Sequence, residues 1–148
     1  TGALIVIERS IILNRYIDVG VAIDGQVSSG LLHAIFQTSS PIHDGAVIIQ
    51  GGRIAAAGCF LPLARDIEMD QFLGTRHRAG LGVSQETDAV VVLVSEEKGQ
   101  ISLAVDGKID KDLSEARLKS RLRKLMQDPS KKPMEASEEE LVEATDEK

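Results

Sequence analysis

The sequence predicts an α/β fold in which a mixed central β-sheet is covered by helices on both faces. Three observations carry this. Runs such as ALIVI (within ALIVIE) and AVVVLV are apolar at every position, as strands buried on both faces are. Segments with the helical spacing of apolar residues are interleaved with them. Two glycine-containing turns fold neighbouring strands into hairpins, which adds antiparallel pairs to the sheet. At 148 residues the chain makes one domain, long enough to bury a real core.

Taken in order, Ala3 to Glu8 (ALIVIE) and Val19 to Ile23 (VGVAI) read as buried strands. SSGLLHAIFQTSS reads as a helix capped by Ser28 or Ser29, with Leu31, Leu32, Ile35 and Phe36 on one apolar face. Pro41 closes it off, because the residue before a proline is pushed away from helical geometry. AVIIQGGRIAAAGCF is a hairpin around Gly51-Gly52. GTRHRAGLGVSQET reads as a loop entering a helix. DAVVVLVSEEKGQISLAV is a second hairpin, turning at Glu97-Lys98-Gly99. DKDLSEARLKSRLRKLMQ, Asp110 to Gln127, is an amphipathic helix with Leu118, Leu122 and Leu125 on one stripe. There is no internal repeat.

From Asp128 onward eight acidic and three basic residues give a net charge of −5, which leaves −1 for residues 1–127. This last segment is acidic, proline-containing and poor in large apolar side chains. It reads as a disordered tail (128–148) behind a folded domain (1–127), because it cannot bury enough surface to offset its ordering entropy. Opening on Thr1 rather than Met, and entering a strand pattern within two residues, the chain reads as a fragment of a longer protein.

Composition narrows the function. A chain 43% hydrophobic and 27% charged has the balance of a soluble globular protein, and no apolar run approaches the ~20 residues that span a bilayer. The single cysteine, Cys59, cannot form an internal disulfide and argues for a reducing compartment. With three histidines beside it, a structural zinc site is not expected. Four aromatic residues (Tyr16, Phe36, Phe60, Phe72) are too few for a base-stacking platform, so nucleic acid is not expected as a partner.

Three features exceed what folding requires. The first is His43-Asp44-Gly45 at the mouth of the strand that starts at Ala46. A carboxylate where a loop meets a strand can hold a hard cation, and glycine lets a ligand approach the backbone. Asp-Gly is also a common turn dipeptide, and neighbours on a regular strand face opposite ways, so His43 and Asp44 share an ion only if the entry is irregular. The second is Gly74-Thr75-Arg76-His77-Arg78-Ala79-Gly80. With Thr75 as helix cap, three basic residues occupy the first turn, where cations oppose the helix dipole. That placement makes sense if an anion binds there, on free amides and two guanidinium groups. Ion pairs with Asp66, Glu68 or Asp70 are the structural alternative. The third is Ser95-Glu96-Glu97, an ordinary solvated turn unless the sheet brings it beside Asp44. Carboxylate, hydroxyl and guanidinium groups together suggest phosphoryl transfer with a divalent metal, and no Walker A lysine motif is present.

Asp44-Gly45-Ala46 and Thr75-Arg76-His77-Arg78, in this order and at this separation, resemble the two motifs of the diadenylate cyclase domain. The likeness runs from about Thr1 to Met126. The contexts GALIVIER, SPIHDGAVII and LGTRHRAGLG are most similar to the membrane-anchored bacterial type. The resemblance implies that two subunits, each with one ATP, meet face to face and form cyclic di-AMP, releasing two pyrophosphates. It implies that Asp44, with Mg²⁺ or Mn²⁺, activates the ribose 3′-hydroxyl, with His43 and Glu97 as further candidate metal ligands. Gly45 and Ala46 would lie against the nucleotide, Leu61 near adenine, and Ser95, Glu96 and Glu97 at the border. Thr75, Arg76, His77 and Arg78 would hold the phosphates. It further implies a cytoplasmic catalytic domain, tethered to the membrane through an N-terminal segment absent from this chain, and open to regulatory protein partners. Two other readings stand beside it. One is a non-catalytic nucleotide-sensing module. The other is an interaction domain whose basic helix residues Arg117, Lys119, Arg121, Arg123 and Lys124 contact lipid or a partner.

Overall fold

The computed structural model describes residues 2–62 and 74–127. The elements are β1 (Ala3–Ile7), α1 (Asn14–Ile17), β2 (Val21–Gln26), α2 (Ser29–Phe36), β3 (Ala46–Gln50) and β4 (Arg53–Cys59). They continue with α3 (Thr75–Glu86), β5 (Val90–Val94), β6 (Ile101–Val105), β7 (Lys108–Leu113) and α4 (Glu115–Met126).

The strands form one mixed sheet in the order β2-β4-β3-β1-β5-β6-β7. β1 pairs parallel with β3, with Val6 opposite Ile48, and antiparallel with β5, with Ile5 opposite Val92. Those central strands are buried at nearly every position, which is why their sequences are continuously apolar rather than alternating. Side-chain alternation sends Ile5, Ile7, Val47, Ile49 and Val92 to one face, where Leu32, Ile35 and Phe36 of α2 and Leu118, Leu122 and Met126 of α4 cover them. Leu4, Val6, Ile48, Val91 and Leu93 reach the other face, covered by Tyr16 of α1 and by Ala79 and Val83 of α3. The sheet is therefore covered on both sides, as expected. Close approach of α3 depends on Gly80, where a Cβ would come within 2.9 Å of the Leu93 side chain.

The α2 cap is Ser28, one of the two serines expected there, whereas α4 is capped by Ser114, which the sequence had placed inside a longer helix. Ser28 Oγ accepts from the Leu31 amide at 3.1 Å, and Ser114 Oγ accepts from the Arg117 amide at 3.1 Å. Three elements differ from the expectation. The segment from Asp110 is not all helix: Lys108–Leu113 is the edge strand β7, and α4 begins at Glu115. β7 reads KIDKDL, polar because an edge strand faces solvent, and polar residues carry little strand signal. β2 runs Val21–Gln26 rather than Val19–Ile23, and it is a half-exposed edge strand instead of a buried one. Helix α1, a single turn, was not expected, because four residues are too few to show helical periodicity. The tail expected from residue 128 onward lies outside the described residues.

Candidate active site

At one margin of the sheet, β3 begins, β4 and β5 end, and the N-terminus of α3 arrives beside them. The space between is a cleft of about 1000 Å³. Its walls include Asp44 and Gly45 before β3, Phe60 and Leu61 after β4, Thr75, Arg76 and His77 on α3, and Ser95, Glu96 and Glu97 after β5. Residues separated by some thirty positions in the chain thus share one cavity because antiparallel hairpins return the chain to the same end of the sheet.

Gly45 makes the entry to β3 irregular. Its φ of 88° is in the left-handed region, and a Cβ there would stand 2.8 Å from the Cys59 carbonyl oxygen. This bend places His43 and Asp44 on one side. His43 Nδ1 lies 2.8 Å from the Ser40 carbonyl, which can only accept, so Nδ1 is the donor. The other nitrogen, Nε2, lies 3.4 Å from Asp44 Oδ1. The Asp44 carboxylate itself is 78% exposed, open to whatever enters the cleft.

The first turn of α3 forms the opposite wall. Gly74, not Thr75, is the N-cap, and among the described residues no side-chain hydrogen bond caps this helix start. Arg76 is drawn towards Glu96, with Nη1 3.8 Å from the carboxylate. The guanidinium packs where Gly2 has no side chain: a Cβ on Gly2 would stand 2.1 Å from Nη1. His77 is half-buried, and burial first, then the charges of Lys111 and Arg76, lower its pKa below the usual 6.5. At neutral pH it is an uncharged imidazole between two cations. Burial pushes the Cys59 thiol up to about 11, so this sulfur is protonated and not a nucleophile.

The cleft brings together Asp44, Gly45, Leu61, Thr75, Arg76, His77, Ser95, Glu96 and Glu97. It does not include His43, Ala46 or Arg78 in its wall: His43 stands behind Asp44, Ala46 is fully buried, and Arg78 is exposed one position beyond. Asp66, Glu68 and Asp70, weighed as ion-pair partners for the arginines, lie outside the described residues. Sequence reasoning missed Phe60, Gln100, Ser102 and Lys111 as wall residues. Phe60, an aromatic 71% exposed, carries a signal once its exposure is known. Lys111 carried none, since it sat in a presumed helix.

The donor set suits a hard cation of the Mg²⁺ type, which takes one or two carboxylates and fills its shell with phosphate and water oxygens. Among the described residues no group of three or more His, Cys, Asp or Glu side chains converges. Asp44 and the Nε2 of His43 are the adjacent donors, with Glu97 on the same cleft.

A family model described as "DAC: DisA bacterial checkpoint controller nucleotide-binding" matches residues 1–109, and the chain belongs to this family. Among its relatives is the cyclic di-AMP synthase CdaA of Bacillus subtilis, 46% identical over 121 residues, 82% of this chain and 44% of that protein. The crystal structure of DacA from Staphylococcus aureus, in a double-cysteine mutant, superposes with a TM-score of 0.83 at 45% identity, covering 86% of this chain and 85% of that one. A Bacillus cereus structure, described as that of a hypothetical membrane spanning protein, matches with a TM-score of 0.73 at 41% identity, over 76% of this chain and 55% of that one. The chain spans less than half the length of the curated B. subtilis relative. Among the described residues no helix is long and apolar enough to cross a membrane.

Proposed function

We propose that this chain is the catalytic domain of a diadenylate cyclase, which condenses two ATP molecules into cyclic di-AMP. The observation that carries the reading is the meeting, in one cleft, of an exposed carboxylate (Asp44) with the uncapped, basic first turn of α3. In a chain of this family that pairing matches a ribose hydroxyl at one end and phosphates at the other. In each half-reaction a ribose 3′-oxygen bonds to the α-phosphorus of the other nucleotide while the bond from that phosphorus to the pyrophosphate oxygen breaks. The hydroxyl proton leaves towards Asp44, and pyrophosphate departs with the electron pair of the broken bond, carrying its negative charge. Arg76 and the α3 amides offset that charge, with neutral His77 able to donate or accept a hydrogen bond. Gly45 lets the nucleotide approach the backbone, and Leu61 offers an apolar contact for adenine. A Mg²⁺ or Mn²⁺ ion held by Asp44, with His43 and Glu97 as further ligands, would lower the pKa of the hydroxyl and screen the phosphates.

One cleft holds one nucleotide, so two chains must face each other for both bonds to form. In the full-length protein the domain would lie in the cytoplasm, tethered through sequence outside this chain, a reading supported by the membrane-spanning description of the B. cereus neighbour. The test is mass spectrometry of the products formed from ATP with Mn²⁺. Cyclic di-AMP and pyrophosphate are expected in a ratio of one to two. ATP bound but unconverted, under conditions where the chain is dimeric, would overturn catalysis in favour of a nucleotide-sensing module.

A further inference from the structure

From the cleft wall and the backbone of β7, we infer that Lys111 is a phosphate-binding residue, presented to the leaving pyrophosphate by a β-bulge in this edge strand. The inference rests on the nucleotide reading of the cleft. It concerns a residue beyond the matched family segment, which ends at residue 109.

On β6, Ile101 and Leu103 face one side of the sheet, and Ser102 faces the cleft. β7 pairs Asp110 with Leu103 and Leu113 with Ile101, so Lys111 and Asp112 together oppose the single residue Ser102. Asp112 supplies the extra step with a φ of 58°, left-handed backbone that few residues other than glycine adopt readily. Strict alternation from Lys111 would turn Leu113 to the cleft side. The added residue lets Lys111 line the cleft while Leu113 returns to the core packed by α4. Lys111 reaches the side of the cleft held by α3, close enough to His77 for its charge to depress the imidazole's basicity. Lys111 adds its ammonium to the Arg76 guanidinium in the cleft, on the side where the proposed reaction releases pyrophosphate, and an ammonium suits phosphate oxygens as a point charge.

Calorimetry on the full chain with Mg²⁺ would measure binding of ATP, adenosine and inorganic pyrophosphate to wild type, Lys111→Met and Lys111→Arg. Lys111→Met is expected to weaken ATP and pyrophosphate at least tenfold and to leave adenosine within twofold, with Lys111→Arg recovering most of the loss. A purely structural role would weaken all three ligands alike and lower the melting temperature. Lys111→Met binding ATP and pyrophosphate within twofold of wild type would overturn the inference and leave the nucleotide reading standing. Wild type binding neither ATP nor adenosine would overturn both.

Discussion

Asp44 stands on an exposed bend whose shape is set by Gly45 rather than by its own side chain, so its chemistry is separable from folding. Asp44→Asn should lower cyclic di-AMP formation by at least a hundredfold, with an unchanged melting temperature and ATP affinity within a few fold. Turnover near the wild-type rate would refute the assignment. Gly45 is the reverse case. Gly45→Ala would force a Cβ into left-handed backbone, at about 1–2 kcal/mol, and against the Cys59 carbonyl, for a further 1–3 kcal/mol by analogy with overpacked cores. A loss of roughly 2–5 kcal/mol in urea denaturation is expected. His77 makes the pH prediction. Burial, with the charges of Lys111 and Arg76, lowers its folded pKa below 6.5, so the unfolded chain binds that proton more readily. This contribution leaves stability flat above about pH 6.5 and lowers it as pH falls from there towards the folded value. In NMR titration the native His77 midpoint should lie below 6.5, and Lys111→Met should move it upward. A native midpoint at or above 6.5 would contradict the electrostatic account.

At the scale of elements, the proposed phosphate role means that α3 trades stability for a binding surface. Its first turn holds no acid, and each cation there opposes the helix dipole by about 0.3–1 kcal/mol. Arg76 has a part-exposed pairing with Glu96, and exposed pairs contribute little. Arg76→Ala should therefore leave the apo melting temperature nearly unchanged while weakening ATP binding severalfold by calorimetry. Arg78→Ala, outside the cleft wall of its own subunit, should leave ATP affinity within twofold. Unaltered affinity in Arg76→Ala would sink the phosphate role of this turn. β7 shows the opposite relation between sequence and structure. Its residues are polar because one side of the sheet ends there, and α4 follows at once through the Ser114 cap, so the two merge into a single polar, helix-like stretch when read without the sheet.

For the molecule as a whole, the proposed chemistry makes activity a property of two chains. Each chain brings one Asp44 and one α3 turn, whereas a symmetric cyclic dinucleotide needs two hydroxyls aligned on two α-phosphates. Specific activity should rise with protein concentration across the range where ultracentrifugation shows monomer becoming dimer. Adding Asp44→Asn chains to wild type should depress activity beyond dilution, since mixed pairs lack one activated hydroxyl. Flat specific activity through the monomer–dimer transition would exclude the face-to-face arrangement.

The sequence by itself determined what local rules encode. Continuous apolar runs specify doubly covered strands, Ser28 sets a helix start, and Gly51-Gly52 and Glu97-Lys98-Gly99 turn the hairpins. Asp44 and the Arg76-His77-Arg78 turn were legible because each is costly or unexplained where it stands. Their convergence belonged to the tertiary structure alone, because distance between segments follows strand order, and strand order depends on long-range pairing that no local pattern carries. The same reason separates Arg76 from Arg78, two positions apart: a helix advances about 100° per residue, so only docking against β1, β5 and β6 decides which guanidinium meets the cleft. Lys111 was invisible for a related cause. Its place in the wall arises from a bulge opposite Ser102, and register is a relation between two strands, not a property of either sequence.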